Sequence, residues 1–272
     1  MPKSELNFGC KLSPIDLRDY KIKAPRETEY PEEFCLEKKM KIKDQGQISS
    51  CVAHTYSTIL EYHEEGKTDL STNFIYGIQK KVCDAEGPGM TFIEASKIVK
   101  EYGDMLYTDC PGNNEIPESY TIAEKAFNNK NKLKTAKKYC IDSYYRCSTT
   151  NSIKYALMNY GPVAIAIKWY PFYFIDMFGA IYFDENTDFG YHAITLIGWN
   201  ERGWICQNSW GTDFGKLGGY FILPYKYNIE EARALIDKPN EDDALKIPSQ
   251  NKVVLYIKQV LNKILNIFKI NC

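Results

Sequence analysis

The sequence of 272 residues lacks several features that would assign it to common classes of protein. Its nine cysteines include no CxxC pair, which argues against a zinc ribbon and against a thioredoxin-type redox motif. No apolar run reaches the roughly 18 residues of a membrane span. The net charge of -1 is unlike the basic excess of a nucleic-acid binder. We therefore expect no metal, no cofactor, no nucleic-acid partner and no integral membrane segment.

Apolar character is also low at the start of the chain. The first residues, MPKSELNFGCKLSPIDLRDY, contain no apolar segment like that of a secretory signal. The cysteines are odd in number and scattered, so at least one thiol must be free or paired between chains. Together these observations predict a soluble protein in the cytoplasm or another reducing compartment. The cysteines are Cys10, Cys35, Cys51, Cys83, Cys110, Cys140, Cys147, Cys206 and Cys272.

Hydrophobic spacing changes character midway along the chain. The first half has helical spacing, whereas the second half has short apolar runs bounded by Gly, Asn or Asp. Helices are predicted over about 51–65, from 71 onward, over 92–102 and over 152–159. Strands are predicted within 163–167, 180–183, 193–199, 204–210 and 220–223. A helical half followed by a strand-rich half predicts an α+β fold of two subdomains, with a cleft between them for a site.

The chain divides into three parts on composition. Residues 1–30 are polar with scattered prolines, which predicts an extended arm. Residues 31–235 form the predicted domain, with its helical part over about 45–127 and its β-rich part over about 140–225. Residues 236–272 are predicted to be a linker followed by an amphipathic helix.

Two basic or amphipathic segments have several interpretations. The helix expected over 252–270 can pack on the body of the protein, contact a partner or another copy, or lie on a membrane surface. The basic run 130–138, KNKLKTAKK, is most simply a solvated loop or helix face.

Three short segments together indicate a catalytic site. The first, QGQISSCVAH, runs from Gln45 to His54 and places Cys51 at the start of a helix. The second is YHA, with His192 near the start of a strand, and the third is QNSWGT, which contains Asn208. A cysteine followed by a histidine and an asparagine roughly 130–150 residues downstream is the order of the papain-type site.

In these segments the sequence resembles the papain-like (C1) cysteine peptidases, over roughly residues 31–225. The stretches GPVAIAI, FGAIYF, YHAITLIGW and CQNSWGTDFGKLGGYF follow the family pattern in order and spacing. The resemblance implies a papain-like fold, with a helical left subdomain and an antiparallel, barrel-like β subdomain on the right. It also implies a catalytic cleft between them and a peptide or protein substrate.

The resemblance also implies roles for individual residues. Cys51 would be the nucleophile, its thiol pKa lowered by the helix start and by a His192 imidazolium. Asn208 would orient the imidazole, and Gln45 would donate to the oxyanion. Two further positions match the family: Trp210 would shield the His192–Asn208 hydrogen bond from water, and the backbone of Gly89 would pair with an extended substrate. His54, one turn after Cys51, is an alternative base.

The sequence departs from the family around the nucleophile. Ile48 stands where the family has a disulfide cysteine, and no cysteine lies near Glu86, where the partner would be. Ser49 replaces a glycine, which narrows the approach to Cys51. The arm is too short to resemble a long helical propeptide, so the resemblance gives no support to autoinhibition by that route.

An endopeptidase is the leading functional hypothesis. The chain has only three histidines, all in the positions already discussed or within the first helix, so the paired histidines of an exopeptidase loop are absent. One alternative is a transpeptidase or a dedicated processing enzyme, which would pass the acyl group to an amine. The other is an inactive papain-fold binding protein.

Overall fold

A computed structural model describes residues 8–16, 19–38, 40–112 and 116–237 of the chain. The predicted C-terminal helix over 252–270 lies outside the described residues. Within the described ranges, no helix is both long and apolar enough to cross a bilayer.

Six α-helices lie in the described part of the chain. They are α1 (Cys51–His63), α2 (Thr72–Cys83), α3 (Phe92–Glu101), α4 (Ile116–Phe127), α5 (Lys130–Ala136) and α6 (Thr150–Tyr160). Side-chain caps define several of their starts. Ser71 accepts a hydrogen bond from the N–H of Phe74 at the start of α2, and Thr91 forms a capping box with Glu94 at the start of α3.

One antiparallel sheet dominates the second half. The strands are β1 (Cys10–Lys11), β2 (Phe34–Cys35), β3 (Met90–Thr91), β4 (Ser143–Arg146), β5 (Val163–Trp169), β6 (Tyr173–Ile175), β7 (Ile181–Phe183), β8 (Gly190–Asn200), β9 (Gly203–Gln207), β10 (Tyr220–Leu223) and β11 (Ile229–Ile236). The main sheet has the order β10-β9-β8-β5-β11-β4, and β2 pairs with β8 off this path. Two small sheets join β6 to β7 and, in parallel, β1 to β3.

Two large clusters of buried side chains match the two predicted subdomains. One includes Tyr56 of α1, Phe74 of α2 and Phe92 of α3. The other is built on the sheet and includes Trp169 and Phe221. The predicted α+β class is confirmed, because helices fill the first half and an antiparallel sheet fills the second.

The basic run 130–138, predicted to be a solvated loop or helix face, is largely helical and forms α5. Two element predictions need correction. The segment 204–210 is not a strand to its end, because β9 ends at Gln207. The strand β11 was missed altogether, because Glu231 and Arg233 interrupt its apolar pattern. Both of these charged side chains are buried.

Candidate active site

Cys51 is the first residue of α1 and is fully buried. Ser50 precedes the helix but gives it no side-chain cap; its hydroxyl lies 3.2 Å from Nδ1 of His54 instead. The first N–H groups of a helix have no acceptor within the helix and carry its positive dipole end. Cys51 therefore lies where an oxyanion or a thiolate is electrostatically favoured.

His192 and Asn208 meet across neighbouring strands. His192 is near the start of β8, Asn208 directly follows β9, and the two strands are hydrogen-bonded to each other. Nε2 of His192 lies 2.8 Å from Oδ1 of Asn208. The backbone N–H of Ser209 donates to the same Oδ1 at 2.9 Å. Because Oδ1 can only accept, Nε2 of His192 carries the proton in this hydrogen bond.

The other nitrogen of His192, Nδ1, is buried and has no hydrogen-bond partner among the described residues. The backbone of Ala193, the residue that follows His192, lies close enough to Cys51 to lower the pKa of its thiol. The structure therefore brings the predicted nucleophile, base and orienting amide together at the junction of α1 with the sheet.

Two indoles enclose the imidazole. Trp210 stacks on His192 with ring centroids 4.6 Å apart and an interplanar angle of 27°. Trp169 meets the same ring edge-on at 5.2 Å and also contacts Trp210. Sequence reasoning identified Trp210 but missed Trp169, the last residue of β5.

Gln45 is fixed in place by both ends of its side-chain amide. Its Nε2 donates to the carbonyl of Ile48 at 2.9 Å, and its Oε1 accepts from the hydroxyl of Ser209 at 2.7 Å. Its backbone N–H also donates to the carbonyl of Ser209 at 2.8 Å. Ser209 is thus a connection between Gln45 and Asn208 that sequence reasoning missed, although it stands inside the NSWG segment.

Gly89 lies directly before β3. Its φ of +83° is in the left-handed region, and its N–H donates to the hydroxyl of Tyr76 at 3.3 Å. A Cβ at Gly89 would lie 2.6 Å from the carbonyl oxygen of Gly9. The backbone next to Gly89 already pairs with an extended segment, which is β1 of the same chain.

Burial shifts the pKa values of Cys51 and His192 in opposite directions. It raises the pKa of the Cys51 thiol to about 11, although backbone hydrogen bonds from Ala193 and Gly9 lower it in part. Burial also lowers the pKa of His192 to about 4, against the hydrogen bond with Asn208, which raises it. Burial of both groups thus favours their neutral forms, and the thiolate–imidazolium pair expected from the resemblance stays a prediction.

The other histidines are held in different surroundings. Nδ1 of His54 lies 3.0 Å from the carbonyl of Ser50, and burial lowers its pKa to about 4. His63, at the end of α1, is half-buried, and desolvation lowers its pKa. No cluster of three potential metal ligands is present among the described residues.

Seven of the described cysteines are free thiols of differing exposure. They are Cys10, Cys35, Cys51, Cys83, Cys110, Cys147 and Cys206. Ile48 is buried in the same core cluster as Cys51, so an aliphatic side chain fills the place where the family has a disulfide cysteine.

Comparisons with known sequences point to one family. The family model described as papain family cysteine protease matches residues 30–235. Cathepsin B-like cysteine proteinase 3 of Caenorhabditis elegans is 33% identical over 132 residues, which are 44% of this chain and 35% of that protein. The viral cathepsin of Adoxophyes honmai nucleopolyhedrovirus is 26% identical over 245 residues, which are 84% of this chain and 65% of the relative. The chain thus spans less than two thirds of the length of either relative.

Solved structures share the fold. Xylellain, a cysteine protease from Xylella fastidiosa, superposes with a TM-score of 0.72 at 21% identity, covering 85% of this chain and 96% of that one. Digestive procathepsin L 3 of Tenebrio molitor larval midgut gives a TM-score of 0.61 at 19% identity, covering 80% and 74%. The predicted papain-like fold is therefore confirmed. With the family model matching most of its length, the chain belongs to the papain family of cysteine proteases.

Proposed function

We propose that the protein is a cysteine endopeptidase in which Cys51 is the nucleophile and His192 the acid–base. One observation carries the proposal. Because Nε2 of His192 is committed to Asn208, the neutral Nδ1 is left as a buried acceptor next to the start of α1, where the Cys51 thiol lies. A nucleophile, a base and a group orienting the base are the parts that covalent catalysis requires.

The first half of the reaction forms an acyl-enzyme. Nδ1 of His192 takes the proton of the Cys51 thiol, and the sulfur attacks the carbonyl carbon of the peptide. The oxyanion formed on the carbonyl oxygen is stabilised by the N–H at the start of α1 and by the amide of Gln45. The tetrahedral intermediate then collapses: the C–N bond breaks, the imidazolium gives its proton to the departing amine, and a thioester remains on Cys51.

The second half releases the acid. His192 takes a proton from a water molecule, and the resulting hydroxide attacks the thioester carbon. The carbon–sulfur bond breaks, Cys51 recovers the proton, and the carboxylic acid leaves. An added amine that replaced water in this step would give a new amide, which is the transpeptidase alternative.

Substitution of the nucleophile tests the proposal. Cys51→Ala is expected to abolish hydrolysis of an internally quenched peptide with blocked termini, and also labelling by a thiol-directed epoxide. Cys83→Ala, which removes a half-buried thiol from α2, is the matched control and should keep both. Hydrolysis that survives in Cys51→Ala would refute the assignment. If thiol reagents fail to modify Cys51 in the wild-type protein, the result would favour a binding protein over a peptidase.

Blocked termini in that substrate also test the endopeptidase assignment. An exopeptidase needs a free chain end and would not cleave the blocked peptide. Mass spectra of products formed with added glycine amide separate hydrolysis from acyl transfer, because each gives a product of different mass.

A further inference from the structure

A lysine two residues before Gln45 has a buried ammonium group. The side chain of Lys43 is 14% exposed, and its Nζ lies 2.7 Å from Oε1 of Glu61, whose side chain is 2% exposed. Nζ also donates to the carbonyl of Leu70 at 2.6 Å, and the N–H of Leu70 donates to the same Oε1 at 2.9 Å. Taking an ammonium and a carboxylate out of water is costly unless both are well paired, and here both are.

The groups around this ammonium come from separate parts of the chain. Glu61 and Ser57 lie one turn apart on α1, and Oγ of Ser57 is 3.4 Å from Nζ of Lys43. Leu70 precedes α2, and the fully buried Asp104 follows α3. Burial raises the pKa of the Asp104 carboxyl well above its ordinary value, and the charge of Lys43 lowers it in part. The lysine is therefore the point at which three helical elements meet the segment before α1.

The backbone of Lys43 pairs instead with the turn after β9. Its carbonyl accepts from the N–H of Gly211 at 3.0 Å, and the N–H of Gln45 donates to the carbonyl of Ser209 at 2.8 Å. The segment 41–45 is thus held along the turn that carries the group proposed to orient the imidazole, while the Lys43 side chain reaches α1.

This arrangement matters because the two proposed oxyanion donors lie on different segments. The amide of Gln45 belongs to the segment 41–45, whereas the N–H of Cys51 is at the start of α1. Both donors must lie about 2.7–3.1 Å from one oxygen atom to stabilise it. The position of Gln45 relative to Cys51 is restrained by the connection 46–50 and by the ammonium that joins the segment 41–45 to Glu61 of α1.

We infer that Lys43 is a positioning residue for Gln45: its buried ammonium, paired with Glu61, holds the segment 41–45 against α1 so that Gln45 and the N–H of Cys51 point to one oxygen atom. The inference rests on the proposed function for its effect on peptide hydrolysis, but the placement of the segment can be measured without hydrolysis. Stability alone does not account for the pair, because replacing a buried ion pair by apolar side chains of similar volume is often neutral or stabilising.

Three variants separate positioning from stability. Lys43→Met removes the ammonium and leaves Glu61 buried without it. Lys43→Met combined with Glu61→Gln also removes the unpaired charge, and the glutamine can still accept from the N–H of Leu70, so most of the lost stability should return. Lys41→Met is the matched control on the same segment, since the Lys41 side chain is 70% exposed and pairs with Asp69 at 2.8 Å. Asp69 is also 3.7 Å from Nζ of Lys43, at the edge of the buried group.

The first measurement is kcat and KM on the blocked peptide, with iodoacetamide alkylation of Cys51 alongside. We expect kcat to fall about 10–100-fold in both Lys43 variants with little change in KM, because a misplacement of about 1 Å is costly and the oxyanion contact is made only in the transition state. Alkylation forms no oxyanion, so its rate should stay within about twofold of the wild type. Lys41→Met should match the wild type in all three quantities.

The second measurement does not depend on hydrolysis. Hydrogen exchange at the N–H groups of Gln45 and Gly211 reports how firmly the segment 41–45 is held, since both N–H groups bond across to the turn after β9. Exchange of such groups proceeds through local opening, so we expect it to be about tenfold faster in both Lys43 variants. The N–H groups of β5, inside the sheet, should be unchanged in the double variant and serve as the internal reference.

The outcomes distinguish this inference from the proposed function. Faster exchange at Gln45 together with a lower kcat in the double variant supports both. Faster exchange with no hydrolysis in any form, the wild type included, supports the positioning of Gln45 and refutes the peptidase. In an active protein, a kcat that returns to the wild-type value with the stability of the double variant overturns the inference, because Lys43 would then serve stability alone. Exchange at Gln45 equal to that in Lys41→Met overturns it whatever the rate of hydrolysis.

Discussion

The hydroxyl of Ser209 donates a 2.7 Å hydrogen bond to Oε1 of Gln45, while the N–H of the same serine donates to Asn208. The segment before α1 is thereby joined to the turn after β9. The proposed oxyanion donor and the group that orients the imidazole are positioned by one residue, so movement of either is transmitted to the other.

The first prediction concerns this connection. Ser209→Ala should lower kcat/KM for an amide substrate about fivefold, because one hydrogen bond of roughly 1 kcal/mol no longer orients Gln45. Gln45→Ala should lower it by about 10²–10³. If Ser209 acts through Gln45, adding Ser209→Ala to Gln45→Ala should have little further effect. Fully additive losses in this double-mutant cycle would contradict the connection.

The second prediction concerns the indole over the imidazole. Trp210→Ala should expose the His192–Asn208 hydrogen bond to water and lower kcat roughly tenfold, or about 1.4 kcal/mol in the barrier. Trp210→Phe, which keeps an aromatic face on the ring, should retain most of the activity. The informative readout is the pH profile of kcat, since hydration of the imidazole should move its acid limb in Trp210→Ala only. An unchanged profile would show that the indole serves packing alone.

The third prediction is a loss of stability in mild acid. Burial lowers the pKa of His54 and of His192 to about 4, from an ordinary value of 6.5. Between these values the unfolded chain binds protons that the folded chain does not, so the free energy of unfolding falls as the pH falls through 6.5. By pH 5.5 each histidine should contribute a loss of about 1 kcal/mol. Urea unfolding at pH 7.5 and 5.5 measures it, and His54→Gln should show a smaller difference than the wild type.

The fourth prediction concerns the buried side chains of Arg233 and Glu231 on β11, which are paired at 2.8 Å. Arg233→Met should lower the free energy of unfolding by roughly 3–5 kcal/mol, because Glu231 is left buried without its partner. Adding Glu231→Gln should recover part of the loss. Arg202→Met, at a side chain that is 38% exposed, is the control and should change stability little. A loss in Arg233→Met no larger than in this control would show that the pair is hydrated rather than buried.

Sequence reasoning was most successful where chemistry restricts residue type. The segments around Cys51, His192 and Asn208 indicated a family, and the family match confirms that membership. The comparisons with solved structures confirm the fold. The roles of the individual residues stay predictions, although the structure brings them together. The expected reducing compartment is likewise still a prediction.

The failures have physical causes. The strand β11 was missed because hydrophobic periodicity treats Glu231 and Arg233 as solvent-facing, whereas they are buried as a pair. The extended arm over residues 1–30 stays a prediction, and nothing in its composition indicates where its described part packs. Its position depends on contacts with residues distant in the chain, such as Ser49, Met90 and Arg233, which a local pattern does not encode.

The parallel pairing of Cys10 and Lys11 with β3 has one more consequence. Because the segment paired with β3 is part of the same chain, its binding is intramolecular, and its effective concentration does not change when the protein is diluted. Pairing of this kind should therefore be independent of protein concentration, unlike the binding of a dissociable partner.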